Sequence, residues 1–183
     1  MKRHDKLADT LPVGTLGILA LESSHDMGKR VNDYIVDWRK DRAAQNATAS
    51  TFAGYNRDSF LIDSACPRFG SGEAKGIINE SVRGDDLYLL VDVCNYSLTY
   101  TVCGHTNHMS PDDHYQDLKR IIAAVGGKAR RITVIMPFLY ESRQHRRSAR
   151  ESLDCAMALH ELTQMGVESI ITCLLYTSDA ADD

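Results

Sequence analysis

Apolar and polar positions along the chain switch repeatedly between two rhythms, short continuous apolar runs and longer stretches with helical spacing. Leu16 to Leu21 reads as a first buried strand. After it, Ser23, Ser24 or Asp26 can cap a helix whose apolar positions Met27, Val31, Tyr34, Ile35 and Trp38 share one face. Lys40 to Tyr55 is polar and reads as a loop or frayed helix end, and Ser59 to Asp63 as a short strand. Leu87 to Val93 is nearly all apolar, the mark of a parallel strand covered on both faces. Ser110-Pro111-Asp112-Asp113 starts a helix with a serine cap, a proline in the first turn and early acids. Its apolar face is Tyr115, Leu118, Ile121, Ile122 and Val125, and Gly126-Gly127 ends it. Arg131 to Pro137 is the next strand. Ser148 and Glu151 then have capping-box spacing, predicting a helix that buries Leu153, Ala156, Met157, Leu159 or His160, and Leu162 before Gly166. Val167 to Thr172 is a last strand. Strands alternating with helices predict an α/β fold with a mainly parallel, doubly wound sheet.

Composition narrows the function classes. The 183 residues fit one ordinary domain, and a net charge of -4 argues against general nucleic-acid binding. No apolar run approaches the roughly 20 residues that span a bilayer, so no membrane role is expected. Five cysteines without a CxxC pair suit reduced thiols, and with no apolar signal core after the basic start the expected location is the cytoplasm.

Against that acidic background, Ser142 to Arg150 holds four arginines, one histidine and no acid until Glu151. It follows a strand, where open α/β sheets place anionic ligands, and guanidinium groups bind two phosphate oxygens at once. Charge alone leaves a solvated loop and a phosphate site equally open. Gly70, Gly72 and Gly76 lack dinucleotide-fingerprint spacing and instead suggest a turn feeding a short strand, with Arg83 to Asp86 as a second turn. Asn95 to Met109 is the least regular part and reads as a surface loop. Cys103, His105, His108 and His114 match no zinc spacing.

Two segments carry a resemblance. Phe69-Gly70-Ser71-Gly72-Glu73 with Asn79-Glu80-Ser81-Val82-Arg83-Gly84 is similar to the Phe-Ser-x-x-Glu turn and Glu-Ser-Val-Arg-Gly strand of ribose-phosphate pyrophosphokinases. Tyr140-Glu141-Ser142-Arg143-Gln144-His145-Arg146-Arg147 resembles their Tyr-x-Arg-Gln-Asp-Arg-Lys loop. Asp117 to Arg120 and Ala129 to Thr133 fall between them in the family's order, so the likeness covers roughly residues 60 to 172.

The resemblance implies a phosphoribosyltransferase-like N-terminal domain with a short hairpin or flag, over residues 1–172. The family assembles into hexamers and transfers diphosphate from Mg-ATP to ribose 5-phosphate. Carried over, Arg143 and Gln144 contact ATP, and Phe69, Ser71, Gly72 and Glu73 form the turn that reaches the adenine held by a neighbouring subunit. Arg146 and Arg147 face the transferring phosphates, and magnesium arrives with ATP. The family's catalytic histidine and metal loop belong after the strand ending at Thr172, so neither a catalytic residue nor a metal ligand is assigned here. His145 replaces an Asp, Ser71 stands where Asp or Asn is common, and the segment from Asn95 to Tyr115 is longer than usual. Residues 173–183 back-translate into a transposon-end sequencing adapter and read as a non-native tail, which makes the chain an inactive fragment. Two other readings stand beside this one: a non-catalytic regulatory homologue that assembles with active subunits, and anion or RNA binding by the arginine loop alone.

Overall fold

Leu16–Ala20 forms β1, the strand about which the chain winds in both directions. It pairs in parallel with β4 (Asp86–Leu90), which pairs with β7 (Arg131–Ile135), which pairs with β8 (Ser169–Ile171). Registered partners Ile18, Tyr88 and Thr133 run straight across the first three strands. The computed structural model describes residues 12–44, 52–144 and 146–173. On the free edge of β1, the Ile18 amide donates to the Phe60 carbonyl at 2.7 Å and the Ile62 amide donates to the Ile18 carbonyl at 2.8 Å. The strand predicted at Ser59 to Asp63 is thus a single parallel bridge at Leu61. Asn32, buried in the helix after β1, accepts the Phe60 amide at 2.7 Å and holds that segment in place.

Helices cover both faces, as the apolar strands require. On one face lie α2 (Pro111–Val125) and α3 (Asp154–Gln164). Leu118, Ile121, Ile122, Ala158 and Leu162 pack there against Leu19, Leu87, Leu89, Ile132 and Val134. Each fully buried Leu or Ile contributes about 1.5–3 kcal/mol, so this face supplies most of the cohesion. The other face carries α1 (His25–Ala44), with Val36 against Ile18, Phe60 and Leu90. The start of α2 is as predicted: Ser110 Oγ accepts the Asp113 amide, and the Asp113 carboxylate accepts the Ser110 amide at 2.9 Å.

Several local expectations change. Gly28, Asn32 and Val36 are the buried positions of α1, while Tyr34 and Trp38 are exposed. A 3-10 turn, Glu22–Ser24, precedes that helix. Ser23 Oγ accepts the Asp92 amide and the Ser24 hydroxyl is buried without a partner, so neither serine caps it. Ser148 and Glu151 do bond to each other, but α3 starts only at Asp154, with no side-chain cap. Its register is also rotated, because Cys155, Ala158 and Leu162 are buried whereas Ala156 and Met157 are exposed. The expected loop at Asn95 to Met109 contains an antiparallel hairpin, β5 (Thr99–Val102) and β6 (His105–His108). Part of the loop predicted from Lys40 to Tyr55 is helix to Ala44; residues 45–51, His145, the basic start and all of the tail but Cys173 lie outside the described residues.

Candidate nucleotide-binding segments

Strands β2 (Ser64–Ala65) and β3 (Ile77–Ile78) pair antiparallel and lead to the Phe69–Glu73 turn at their far end. Arg68 and Ala74 bridge its neck. The Phe69 amide donates to the Glu73 carbonyl at 2.7 Å, and the Gly72 amide donates to the Phe69 carbonyl at 2.9 Å. Gly72 has φ +92°, a conformation that side-chain-bearing residues rarely adopt. Ser71 Oγ donates to Glu73 Oε2 at 2.9 Å, so the two predicted hydrogen-bonding side chains are already linked. Phe69 is 50% exposed, an apolar ring held out at a stiff tip.

Arg68 ties this turn to α2. Its guanidinium donates to the Gly72 carbonyl at 3.2 Å and to Asp117 Oδ2 at 2.8 Å, while Arg120 donates to Asp117 Oδ1 at 2.6 Å. Burial pushes the Asp117 carboxyl up, and the two arginines oppose that shift. Gly76, farther along the same arm, lies so close to α2 that a Cβ would run into the Arg120 carbonyl oxygen. Here glycine permits close approach of two backbones, which explains a residue that had no place in a dinucleotide motif.

The basic loop starts where β7 ends, at the carboxyl edge of the sheet. Tyr140 stacks on Tyr115 of α2, with ring centroids 4.2 Å apart and an interplanar angle of 5°. Its hydroxyl donates to Asp112 Oδ1 at 2.7 Å, and the Tyr115 hydroxyl donates to the Ala158 carbonyl at 2.8 Å. Glu141 follows with φ +55°, and the Gln144 amide closes the turn on the Glu141 carbonyl at 2.9 Å. A left-handed non-glycine residue is a strained one, which the Tyr140 anchor helps to maintain. The Gln144 side-chain amide donates to the Arg146 and Ser152 carbonyls at 3.2 and 2.9 Å, folding the arginine stretch back on itself. Arg143, Arg146 and Arg147 are exposed. Arg143 is near the end of β4: burial and Asp92 raise the Cys94 thiol, and the Arg143 charge acts against them.

The turn and the carboxyl edge of the sheet open on different spaces. Ser71, Gly72 and Glu73 line a cavity of about 450 Å³ with Tyr100, Asp113 and Arg120. The carboxyl ends of β1, β4 and β7 open on another, about 580 Å³, lined by Ser24, Asp92, Asn95, Pro137 and Phe138. These two cavities share no lining residue. Of Cys103, His105, His108 and His114, the last is buried on α2 and bonded to the Asn95 carbonyl, while the other three sit exposed on the hairpin. Among the described residues no group of three His, Cys, Asp or Glu could hold an ion. No described helix is long and apolar enough to cross a membrane. The sequence assigns Arg68 no role, places Tyr115 only on an apolar helix face and Asp117 only within a family-like segment, so none of the three is predicted as a support of the site. An arginine next to the turn motif was the one local signal available.

Comparison with known proteins shows what the chain is similar to. Ribose-phosphate pyrophosphokinase 1 of Schizosaccharomyces pombe is 33% identical over 118 residues, covering 63% of this chain and 25% of that protein. The Pasteurella multocida ribose-phosphate pyrophosphokinase is 31% identical over 119 residues, covering 63% of this chain and 33% of its own length. The chain therefore spans a third or less of these relatives. A crystal structure of phosphoribosylpyrophosphate synthetase from Mycobacterium smegmatis superposes with a TM-score of 0.64 at 21% identity, over 90% of this chain and 44% of that one, which establishes a shared fold. Residues 16–166 match the family described as the N-terminal domain of ribose phosphate pyrophosphokinase, and the chain belongs to that family.

Proposed function

We propose that this chain is the N-terminal part of an ATP-dependent ribose-phosphate diphosphokinase, a cytoplasmic transferase of nucleotide biosynthesis. In the reaction, the C1 hydroxyl oxygen of ribose 5-phosphate bonds to the β-phosphorus of ATP. The bond from that phosphorus to the α,β-bridging oxygen breaks, AMP leaves with the electron pair, and the hydroxyl proton is released. Arg143 and Gln144 bind ATP, the Arg143 guanidinium lying against the base, and Arg146 and Arg147 face the phosphates, where fixed positive charge is most useful to phosphoryl transfer. Phe69 stacks on adenine while Ser71, Gly72 and Glu73 provide its polar contacts. Magnesium supplies charge neutralisation on the nucleotide phosphates, and we assign it no ligand among the described residues.

The observation that carries this reading is the pairing of a stiff turn presenting an exposed aromatic ring with a basic loop at the carboxyl edge of the sheet. As the resemblance to the family implies, the turn of one subunit serves the loop of another, so the active form is a homo-oligomer, a hexamer as in the family. The chain as given spans a third or less of the relatives it matches. The test is release of AMP from ATP that depends on ribose 5-phosphate, measured on the protein at full family length. Activity that falls at least tenfold in Arg143→Ala is expected, and no ribose-dependent AMP from the wild type overturns the reading. A protein silent on its own that alters the rate of an active subunit would instead be the regulatory homologue, which the additional hairpin favours.

A further inference from the structure

The tip of the β5–β6 hairpin meets the tip of the Phe69–Glu73 turn. The hairpin reverses at Cys103 and Gly104, both left-handed at φ 48° and 83°, and the Cys103 amide points to the Gly70 carbonyl at 3.4 Å. Val102 closes on Gly72 from the side: a Cβ on that glycine would lie 2.9 Å from Val102 Cγ2. Beneath them the Tyr100 ring lies 4.7 Å from the Arg68 guanidinium, the same group that donates to the Gly72 carbonyl and to Asp117. The Tyr100 hydroxyl is 3.4 Å from both carboxylate oxygens of Asp113. Arg68 is thus enclosed by α2 below, the turn above and the hairpin at the side.

Little else in this segment explains itself. The β6 residues are all exposed, and the hairpin adds nothing to the central sheet. Only the inward positions Tyr100 and Val102 are partly buried, and both face the turn.

We propose that the β5–β6 hairpin is a positioning element for the Phe69–Glu73 turn, with Tyr100 and Val102 acting through Arg68 and Gly72 to set how that turn receives adenine. The proposal rests on the functional reading above for its ligand, but its structural half stands independently. An exposed turn samples many conformations. One clamped from the side presents Phe69 and Glu73 in a single arrangement and loses less entropy on binding.

Two measurements test this. Hydrogen exchange on the chain reads the turn alone: in Tyr100→Ala the Phe69 and Gly72 amides exchange about tenfold faster, the scale of a lost, partly desolvated cation–π contact. Tyr100→Phe keeps the ring and restores protection, while amides of α2 and β4 are unchanged in both. If Tyr100→Ala does not fold, Val102→Ala takes its place with the same expectation. Unchanged exchange at Phe69 and Gly72 overturns the proposal. On the full-length protein, Tyr100→Ala raises the KM for ATP about tenfold, on the same basis, and leaves kcat and the KM for ribose 5-phosphate within about twofold. Tyr100→Phe behaves as wild type. An active wild type whose Tyr100→Ala variant keeps its KM for ATP overturns the role in adenine binding. A wild type with no ATP chemistry defeats the functional reading instead, and exchange then decides the positioning role.

Discussion

Tyr140 lies flat on Tyr115, centroids 4.2 Å apart, and through that stack the start of the basic loop is joined to α2 as well as to the strand that delivers it. The stack and the Tyr140–Asp112 hydrogen bond make separable contributions. Tyr140→Phe should cost about 0.5–1 kcal/mol for the lost bond, and Tyr140→Ala about 2–3 kcal/mol for the lost ring. Urea unfolding measures both, and equal losses would mean that the stack contributes little.

Asp86 and Arg131 are direct partners across β4 and β7 and bond at both ends of the guanidinium, at 2.7 and 2.6 Å. Asp86 is buried, and its hydrogen bonds raise the Arg131 pKa. Arg131→Met strands a carboxylate and should lower stability by about 2–3 kcal/mol, discounted because Arg131 is part-exposed. Asp86→Leu combined with Arg131→Met should recover most of that, as read by thermal unfolding. A double variant no better than the single would show that the pair contributes more than it costs.

Cys66 is held as a thiol. Burial and the nearby Asp117 push its pKa up to about 12, against a pull from Arg120 and Arg68. At neutral pH, maleimide should label the exposed Cys103 quickly and leave Cys66 unmodified. The folded chain keeps this proton longer than the unfolded one, whose thiol titrates at about 8.5. The associated stability is therefore present below that pH and lost as pH rises towards 12. Cys66→Ala should flatten that alkaline loss, and denaturant midpoints from pH 8 upwards would reveal an unchanged slope if the thiol were not responsible.

Gly76→Ala places a methyl group against the Arg120 carbonyl oxygen. Backbone cannot yield as a side-chain end can, so the arm must lift from α2, at a cost of about 2 kcal/mol or more. Gly70→Ala, with open space around it, should be near neutral. Comparable midpoints for the two variants in denaturant would rule out the close approach.

What could be read in advance was local. The apolar run at Leu87 to Val93 and the Ser110–Asp113 cap are signals complete within a few residues; the cap formed as expected, and the strand formed at Asp86–Leu90, ending three residues earlier than the run. The α3 start failed because Ser148 and Glu151 satisfied each other without a helix behind them. The hairpin was missed because β6 is all polar and exposed, and its reversal uses Cys103 where Asn or Asp before glycine is the usual signal. The Phe69 turn and the arginine loop stood out as motifs. Their supports, Arg68 on Asp117 and Tyr140 on Tyr115, join residues 25 to 49 positions apart, and no short pattern records such pairs.

The close packing of α2 has one more consequence. Asp117 and the Arg120 carbonyl face the turn arm, while Asp112 and Tyr115 face the basic loop. Each segment has its own contact residues on the helix, but a shift of the helix as a body moves the supports of both at once. A force that lifts the Phe69–Glu73 arm from the helix is thereby felt at the Tyr140 anchor, and the two tips are mechanically linked through one shared support.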